Sequence, residues 1–157
     1  MRVIFYLLLI VFLFSCEEQF GLGNDETPQN IIDSSLEMFE GDILEKSIER
    51  IDGIDVWKVR LENESGAVIS FYWQKNYGIL YGIEGEKGPF DYEIKPPLSI
   101  IVLSTARFLA FESYSSEVLD SWRLIRDKSN DEQWVYLFFL AGREKPITMD
   151  AKSGDLM

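Results

Sequence analysis

Val56-Trp57-Lys58-Val59-Arg60-Leu61-Glu62-Asn63-Glu64-Ser65-Gly66-Ala67-Val68-Ile69-Ser70-Phe71-Tyr72-Trp73-Gln74 is the stretch that decides the fold. Its first seven residues alternate strictly. Trp57, Val59 and Leu61 fall on one face and Lys58, Arg60 and Glu62 on the other, the period of a strand with one side against a core. Asn63-Glu64-Ser65-Gly66 is turn chemistry, and Val68 to Gln74 resumes a β-branched and aromatic run, so the stretch predicts an antiparallel hairpin. In the second arm alternation sends Ile69, Phe71 and Trp73 to the core and Val68, Ser70 and Tyr72 away from it. Tyr77 to Ile83 extends the sheet.

Working outward, Ile31, Ile32, Leu36 and Phe39 carry helical spacing, closed by Gly41, and predict a short helix before the hairpin. After it, Gly85, Gly88, Pro89, Pro96 and Pro97 punctuate the chain between Glu84 and Leu98 and mark a connection. Leu98, Ile101, Val102, Thr105, Phe108 and Leu109 then recur at helical spacing over Leu98 to Phe111, with Ile100-Ile101-Val102 as an alternative strand. Val118 to Arg126, Gln133 to Leu140 and Lys145 to Ala151 predict three further strands. The middle one is apolar on both faces and is expected at the sheet centre.

The N-terminus, Met1-Arg2-Val3 through Ser15-Cys16, has one cation and an apolar run from Val3 to Phe14. A spanning helix needs roughly 20 apolar residues, whereas an export signal needs about 7–15. Leu13-Phe14-Ser15-Cys16 resembles the lipobox of bacterial lipoproteins, with a bulkier Phe14 than that position usually holds. The resemblance implies residues 1–15 as signal peptide and Cys16 as the acylated first mature residue, anchored in a lipid bilayer. It also accounts for the lone cysteine, which a thioether-linked lipid would consume. Glu17 and Glu18 resemble the surface-export signal of Bacteroidetes lipoproteins. Residues 16–30, with Gly21, Gly23 and Asn24 to Gln29, then read as a flexible tether. The implied location is the outer membrane, facing the periplasm or the cell surface.

Composition narrows the chemistry. Of 157 residues, 15 are Lys or Arg, 27 are Asp or Glu and none is His, for a net charge of −12. Without histidine there is no Ser-His-Asp or Cys-His catalysis, no HExxH centre and no imidazole zinc shell. The acidic balance opposes nucleic acid, whose binding depends on Lys and Arg displacing counterions. No GxGxxG, Walker A or GxSxG string occurs. The acidic neighbours Glu84 and Glu86, Asp25-Glu26 and Asp131-Glu132 are expected in loops as solvated surface. No cofactor and no metal is expected.

The halves of the chain show a pattern. Gly66 and Gly142, Gly78 and Gly154, and Leu80 and Leu156 each share a spacing, and Trp57 matches Trp134 within one residue of it. Ile43-Leu44-Glu45 and Val118-Leu119-Asp120 open the two segments alike. From Leu98 to Met157 the order helix, strand, aromatic strand (Trp134-Val135-Tyr136-Leu137-Phe138) and Ile147-Thr148-Met149-Asp150-Ala151-Lys152-Ser153-Gly154-Asp155-Leu156 resembles PepSY and PepSY-like domains. Their last strand closes with an Asp-Ala-x-Thr/Ser-Gly pattern. In the first segment Gln74 and Tyr77 replace the Asp and Ser, a weaker match. The expected fold is therefore α+β: two PepSY-like units over residues 31–95 and 96–157, each a helix on an antiparallel sheet of three or so strands.

What the resemblance implies is a non-catalytic protein- or peptide-binding accessory module, with peptidase inhibition proposed for some members. The alternatives are a carboxylate- or metal-dependent envelope enzyme and a structural subunit of an envelope complex. Tyr72, Tyr77 and Tyr81, near acidic residues, form the candidate surface for protein or glycan, because aromatic rings give contact area at little entropic cost. Packing inside the protein is the competing role for them. Asp150, Ser153 and Gly154 are expected to form a structural turn, in which side-chain oxygens accept backbone N–H groups and glycine takes positive φ. A calcium loop built on Asp150, Ser153 and Asp155 ranks well below that turn, because Lys152 occupies a ligand position.

Overall fold

A computed structural model describes residues 26–97, 99–112, 117–127 and 133–157. Helix α1 (Gln29–Met38) is followed by strands β1 (Asp42–Ile51), β2 (Ile54–Glu62), β3 (Val68–Gln74) and β4 (Leu80–Lys87). Helix α2 (Leu103–Phe111) leads to β5 (Leu119–Asp127), β6 (Gln133–Leu140) and β7 (Ile147–Asp150). All seven strands join one antiparallel sheet in sequence order.

That sheet overturns the expectation of two helix-on-sheet α+β units. β4 pairs directly with β5, Gly82 opposite Ile125 and Glu84 opposite Arg123, so the two halves share one mostly β architecture and one core. The matched glycines do fall in comparable turns. Gly66 (φ 81) follows β2 and Gly142 (φ 82) follows β6, yet the hydrogen-bonded seam leaves no boundary between units near residue 95. β4 is the central strand. β6 is next to the edge, its Leu137 and Phe139 only half-buried, because pairing order and not hydrophobicity sets position in the sheet.

Each hairpin has a local cause. Asp52 (φ 50) and Gly53 (φ 80) join β1 to β2 as a two-residue turn, the Asp-Gly pair suited to positive φ at both positions. In the β2–β3 turn Asn63 Oδ1 accepts from the Ser65 N–H (3.1 Å), the Ser65 hydroxyl (2.8 Å) and the Ala67 N–H (3.0 Å). Gly85, expected in a connection, lies within β4 instead, and Trp122 of β5 packs on its bare Cα.

Both helices pack on the same face. The core combines Ile31 and Phe39 from α1, Leu103, Ala106 and Ala110 from α2, and the inward residues Trp57, Val59, Leu61, Ile69, Phe71 and Trp73 of the hairpin. Helix α2 begins at Leu103, five residues later than expected, and its buried stripe is Leu103, Ala106 and Ala110. Phe108, assigned to the buried stripe by spacing, is 71% exposed. Two of the three residues on the inner face are alanines, and Phe108 turns outward.

Helix α1 is fixed by a buried relay. The Trp73 indole N–H donates to Ser35 Oγ (3.0 Å), and the Ser35 hydroxyl donates to the Ile31 carbonyl (2.9 Å). Ser35→Ala strands a buried indole donor, which costs about 1–3 kcal/mol. A urea midpoint lowered by that amount at unchanged slope is the expected result; a loss below about 0.5 kcal/mol would show that the indole finds another partner.

Candidate functional site

The face of the sheet away from the helices carries a charged lattice. Alternation places Lys58 and Arg60 of β2, Ser70 and Tyr72 of β3, Glu84 of β4 and Arg123 of β5 there, in neighbouring rows set by the pairings Arg60–Ser70, Ser70–Glu84 and Glu84–Arg123. Glu86 is the extra residue of a β4 bulge, between Gly85 (opposite Ile69) and Lys87 (opposite Val68). Bulges redirect side chains at sites of this kind.

Glu86 gathers one half of the lattice. Its carboxylate accepts from Arg60 Nε (2.7 Å) and from the Ser70 hydroxyl, and lies 3.8 Å from Lys58 Nζ. Lys58 also bridges to Glu49 of β1 (3.0 Å). Burial pushes the Glu86 carboxyl upward, but the Ser70 and Arg60 hydrogen bonds and the two nearby cations outweigh it, and its pKa lies below the ordinary value.

Glu84 gathers the other half. It accepts from the Tyr72 hydroxyl (3.0 Å) on Oε2 and from Arg123 Nε (2.8 Å) and Nη2 (2.7 Å) on Oε1. Arg123 also lies 5.3 Å from the centre of the Phe139 ring. Glu84 and Glu86, expected as solvated loop residues, are therefore paired strand residues. Desolvation, and after it the charge and hydrogen bond of Glu84, push the Tyr72 phenol well above its ordinary pKa, so it stays a neutral donor.

The three candidate tyrosines separate. Tyr72 is 9% exposed and takes the packed role of the two left open for it. Tyr77 is 74% exposed in the β3–β4 turn. Tyr81 is half-buried and donates to Asp52 Oδ2 (3.0 Å). Tyr72 and Tyr81 line one open cleft of about 400 Å³, with Gly82, Glu84, Arg123 and Ile125; Tyr77 does not line it.

Around Asp150 the chain makes a tight turn. Asp150 Oδ1 accepts from the Lys152 and Ser153 N–H groups, both at 2.7 Å, Ser153 Oγ accepts from the Asp155 N–H (3.2 Å), and Gly154 holds φ 81. The Ser153 N–H leads in holding the Asp150 carboxyl below its ordinary pKa, against the effect of burial and with help from the Lys152 N–H. Among the described residues no group of three His, Cys, Asp or Glu is placed to hold a metal. Cys16, Glu17-Glu18, the signal segment, most of the tether and the Asp131-Glu132 pair lie outside the described residues. No helix among the described residues is long and apolar enough to cross a membrane.

The sequence could not reveal the lattice, because it depends on register across four strands. Its local traces were the outward Lys58 and Arg60 of the first arm and Ser70 and Tyr72 of the second.

No protein-family model and no curated protein sequence matches the chain. A crystal structure of a candidate lipoprotein from Clostridium difficile aligns with 87% of this chain and 93% of its own, at 17% identity and a TM-score of 0.36. The functional reading below rests on this chain's own residues.

Proposed function

We propose that this protein is an exported envelope lipoprotein, anchored in the outer membrane through acylated Cys16, that works by binding a protein or peptide partner and not by catalysis. The carrying observation for the anchor is the Leu13-Phe14-Ser15-Cys16 sequence at the end of the apolar run from Val3 to Phe14. Its apolar length suits a signal and its cysteine has one chemical use there. Two acyl chains on that residue supply the pair of signals that stable anchoring needs.

Support for binding comes from the open face. Lys58, Arg60, Glu84, Glu86 and Arg123 neutralise one another across strands, an arrangement that presents fixed donors and acceptors. A general acid or base would instead need a proton available near neutral pH. Glu86 is held on the ionised side and Tyr72 on the neutral side.

Cys16→Ala should abolish incorporation of labelled palmitate and move the full-length chain from the detergent phase to the aqueous phase. Label retained by the variant would sink the anchoring reading. Protease digestion on intact cells, against cells with a permeabilised outer membrane, then separates surface from periplasmic exposure.

A further inference from the structure

The two edges of the sheet are finished differently. At β7 the last residues fold back along the strand: Leu156 bridges Met149, the Asp150 N–H donates to the Asp155 carbonyl, and the Met157 N–H donates to the Thr148 carbonyl. Nothing comparable lies along β1. Among the described residues, no backbone group of Asp42–Ile51 bonds to backbone outside the pairing with β2. That pairing runs without a shift over residues 45–51, a regular stretch whose outward N–H and C=O groups can take a further strand.

The charges along that stretch are sorted by face. Residues opposite one another on paired strands share a face. Glu45, Ser47 and Glu49 oppose Arg60, Lys58 and Val56 and lie on the open face; Lys46, Ile48 and Arg50 oppose Val59, Trp57 and Asp55 and lie on the helix face. Each face of the edge thus carries one sign. Glu49 is tied to Lys58 (3.0 Å) and Arg50 to Asp55 (3.6 Å), yet their side chains stay 40% and 72% exposed, and Glu45 and Lys46 are exposed. Deterring a strand needs charge in any order, whereas an order sorted by face also specifies a complement. At the bulge where the edge starts, Ile43 and Leu44 add exposed apolar surface.

We infer that β1 accepts an extended peptide as a further antiparallel strand, with basic side chains opposite Glu45 and Glu49 and acidic ones opposite Lys46 and Arg50. Read from its N-terminus, the partner sets aliphatic, acidic, basic, aliphatic, small polar, acidic and basic residues against Ile51 back to Glu45. This rests on the protein working by binding a peptide, and adds the place and the sequence class of that partner; it is independent of the lipid anchor.

The test uses the full-length, isotope-labelled protein in detergent micelles and the acetylated, amidated peptide Val-Glu-Lys-Val-Thr-Glu-Lys-Val, whose last residue faces the exposed apolar pair. The peptide is titrated to about 1 mM, about ten times a dissociation constant of about 0.1 mM. NMR amide shifts along residues 45–51 are expected. Of two forms of the peptide N-methylated at alternate residues, one should lose binding and the other keep it, because only every second residue of an added strand bonds to the edge. Glu45→Lys combined with Lys46→Glu keeps the net charge, alters two exposed positions, and should weaken the peptide at least about fivefold. Val-Glu-Lys-Val-Thr-Lys-Glu-Val, exchanged to match, should recover that loss in the variant. No binding, equal behaviour of the two methylated forms, or indifference to the charge exchange overturns the inference. So does binding that shifts the amides of Glu84 and Arg123 on the open face and leaves β1 unmoved, which would keep the peptide-binding reading and change its place. Loss of palmitate labelling without loss of peptide binding would locate a failure in the anchor alone.

Discussion

Gly85→Ala is expected to be among the most destabilising single substitutions in this protein. A Cβ at residue 85 would lie 2.1 Å from Trp122 Nε1 and 2.6 Å from both Cδ1 and Cε2 of the same ring. The indole has nowhere to retreat. Trp122 is fully buried, its N–H donates to the Tyr92 hydroxyl (3.0 Å), and its ring packs 6.2 Å from that of Tyr136. Tyr92 is itself committed: burial pushes its phenol up to about 12 against the lowering effects of the Trp122 bond and of Arg107. One methyl group thus displaces a ring, a hydrogen bond and a strand pairing together. Overpacking of this kind costs about 3 kcal/mol, or about 10 °C of melting temperature for a domain of this size. In a Trp122→Ala background the same Gly85→Ala change should cost less than about 1 kcal/mol, since the clash is gone. A single variant that melts within a few degrees of wild type, or equal costs in both backgrounds, would show that the ring moves freely.

The second large effect is Asp150→Ala. Two 2.7 Å bonds to one ionised oxygen are lost, leaving the Lys152 and Ser153 N–H groups without that partner. The turn also holds the last residues of the described chain against β7, through Asp150 N–H to the Asp155 carbonyl (2.9 Å) and Met157 N–H to the Thr148 carbonyl (2.9 Å). Charge-assisted bonds of this type contribute about 1.5–3 kcal/mol each when intact, so a loss of about 3 kcal/mol is expected. Asp150→Asn isolates the charge. Because the folded pKa lies below the ordinary 3.8, the charge stabilises fully above that value and its contribution disappears as pH falls through the folded pKa. Denaturant midpoints of wild type and Asp150→Asn should therefore differ most near neutrality and converge below about pH 4. A gap that widens in acid would contradict the hydrogen-bond geometry.

Much of the sheet was legible because its strands are half-buried. β2 and β3 alternate, β6 and β7 are apolar and bounded by turn residues, and α1 shows its stripe. β1 was not legible. Asp-Ile-Leu-Glu-Lys-Ser-Ile-Glu-Arg-Ile has no clean period because an edge strand buries neither face fully, and the Asp52-Gly53 turn after it went unread. The phase of α2 failed for the opposite reason: Ala106 and Ala110 matter by being small, and a reading weighted to large apolar residues selects Phe108 instead. The union of the halves was hidden as well, since the pairing of Gly82 with Ile125 spans a helix and leaves no local signal. At the candidate site the tyrosines were visible individually. Their separation into one buried, one half-buried and one exposed residue follows from register and bulges.

The edge strand β1 also determines how this sheet meets its own copy. Two identical edges pairing about a two-fold axis normal to the sheet must place residues of equal facing opposite each other, so the axis passes through a residue and not between two. Centred on Glu45, Lys46 or Glu49, that residue meets itself. Centred on Ser47, Glu45 opposes Glu49; centred on Ile48, Lys46 opposes Arg50. Every central register sets like charge against like, which penalises strand pairing. The charge order along β1 thus works as a lock against its own two-fold partner, and among the described residues the sheet ends at seven strands with its longest edge guarded by charge.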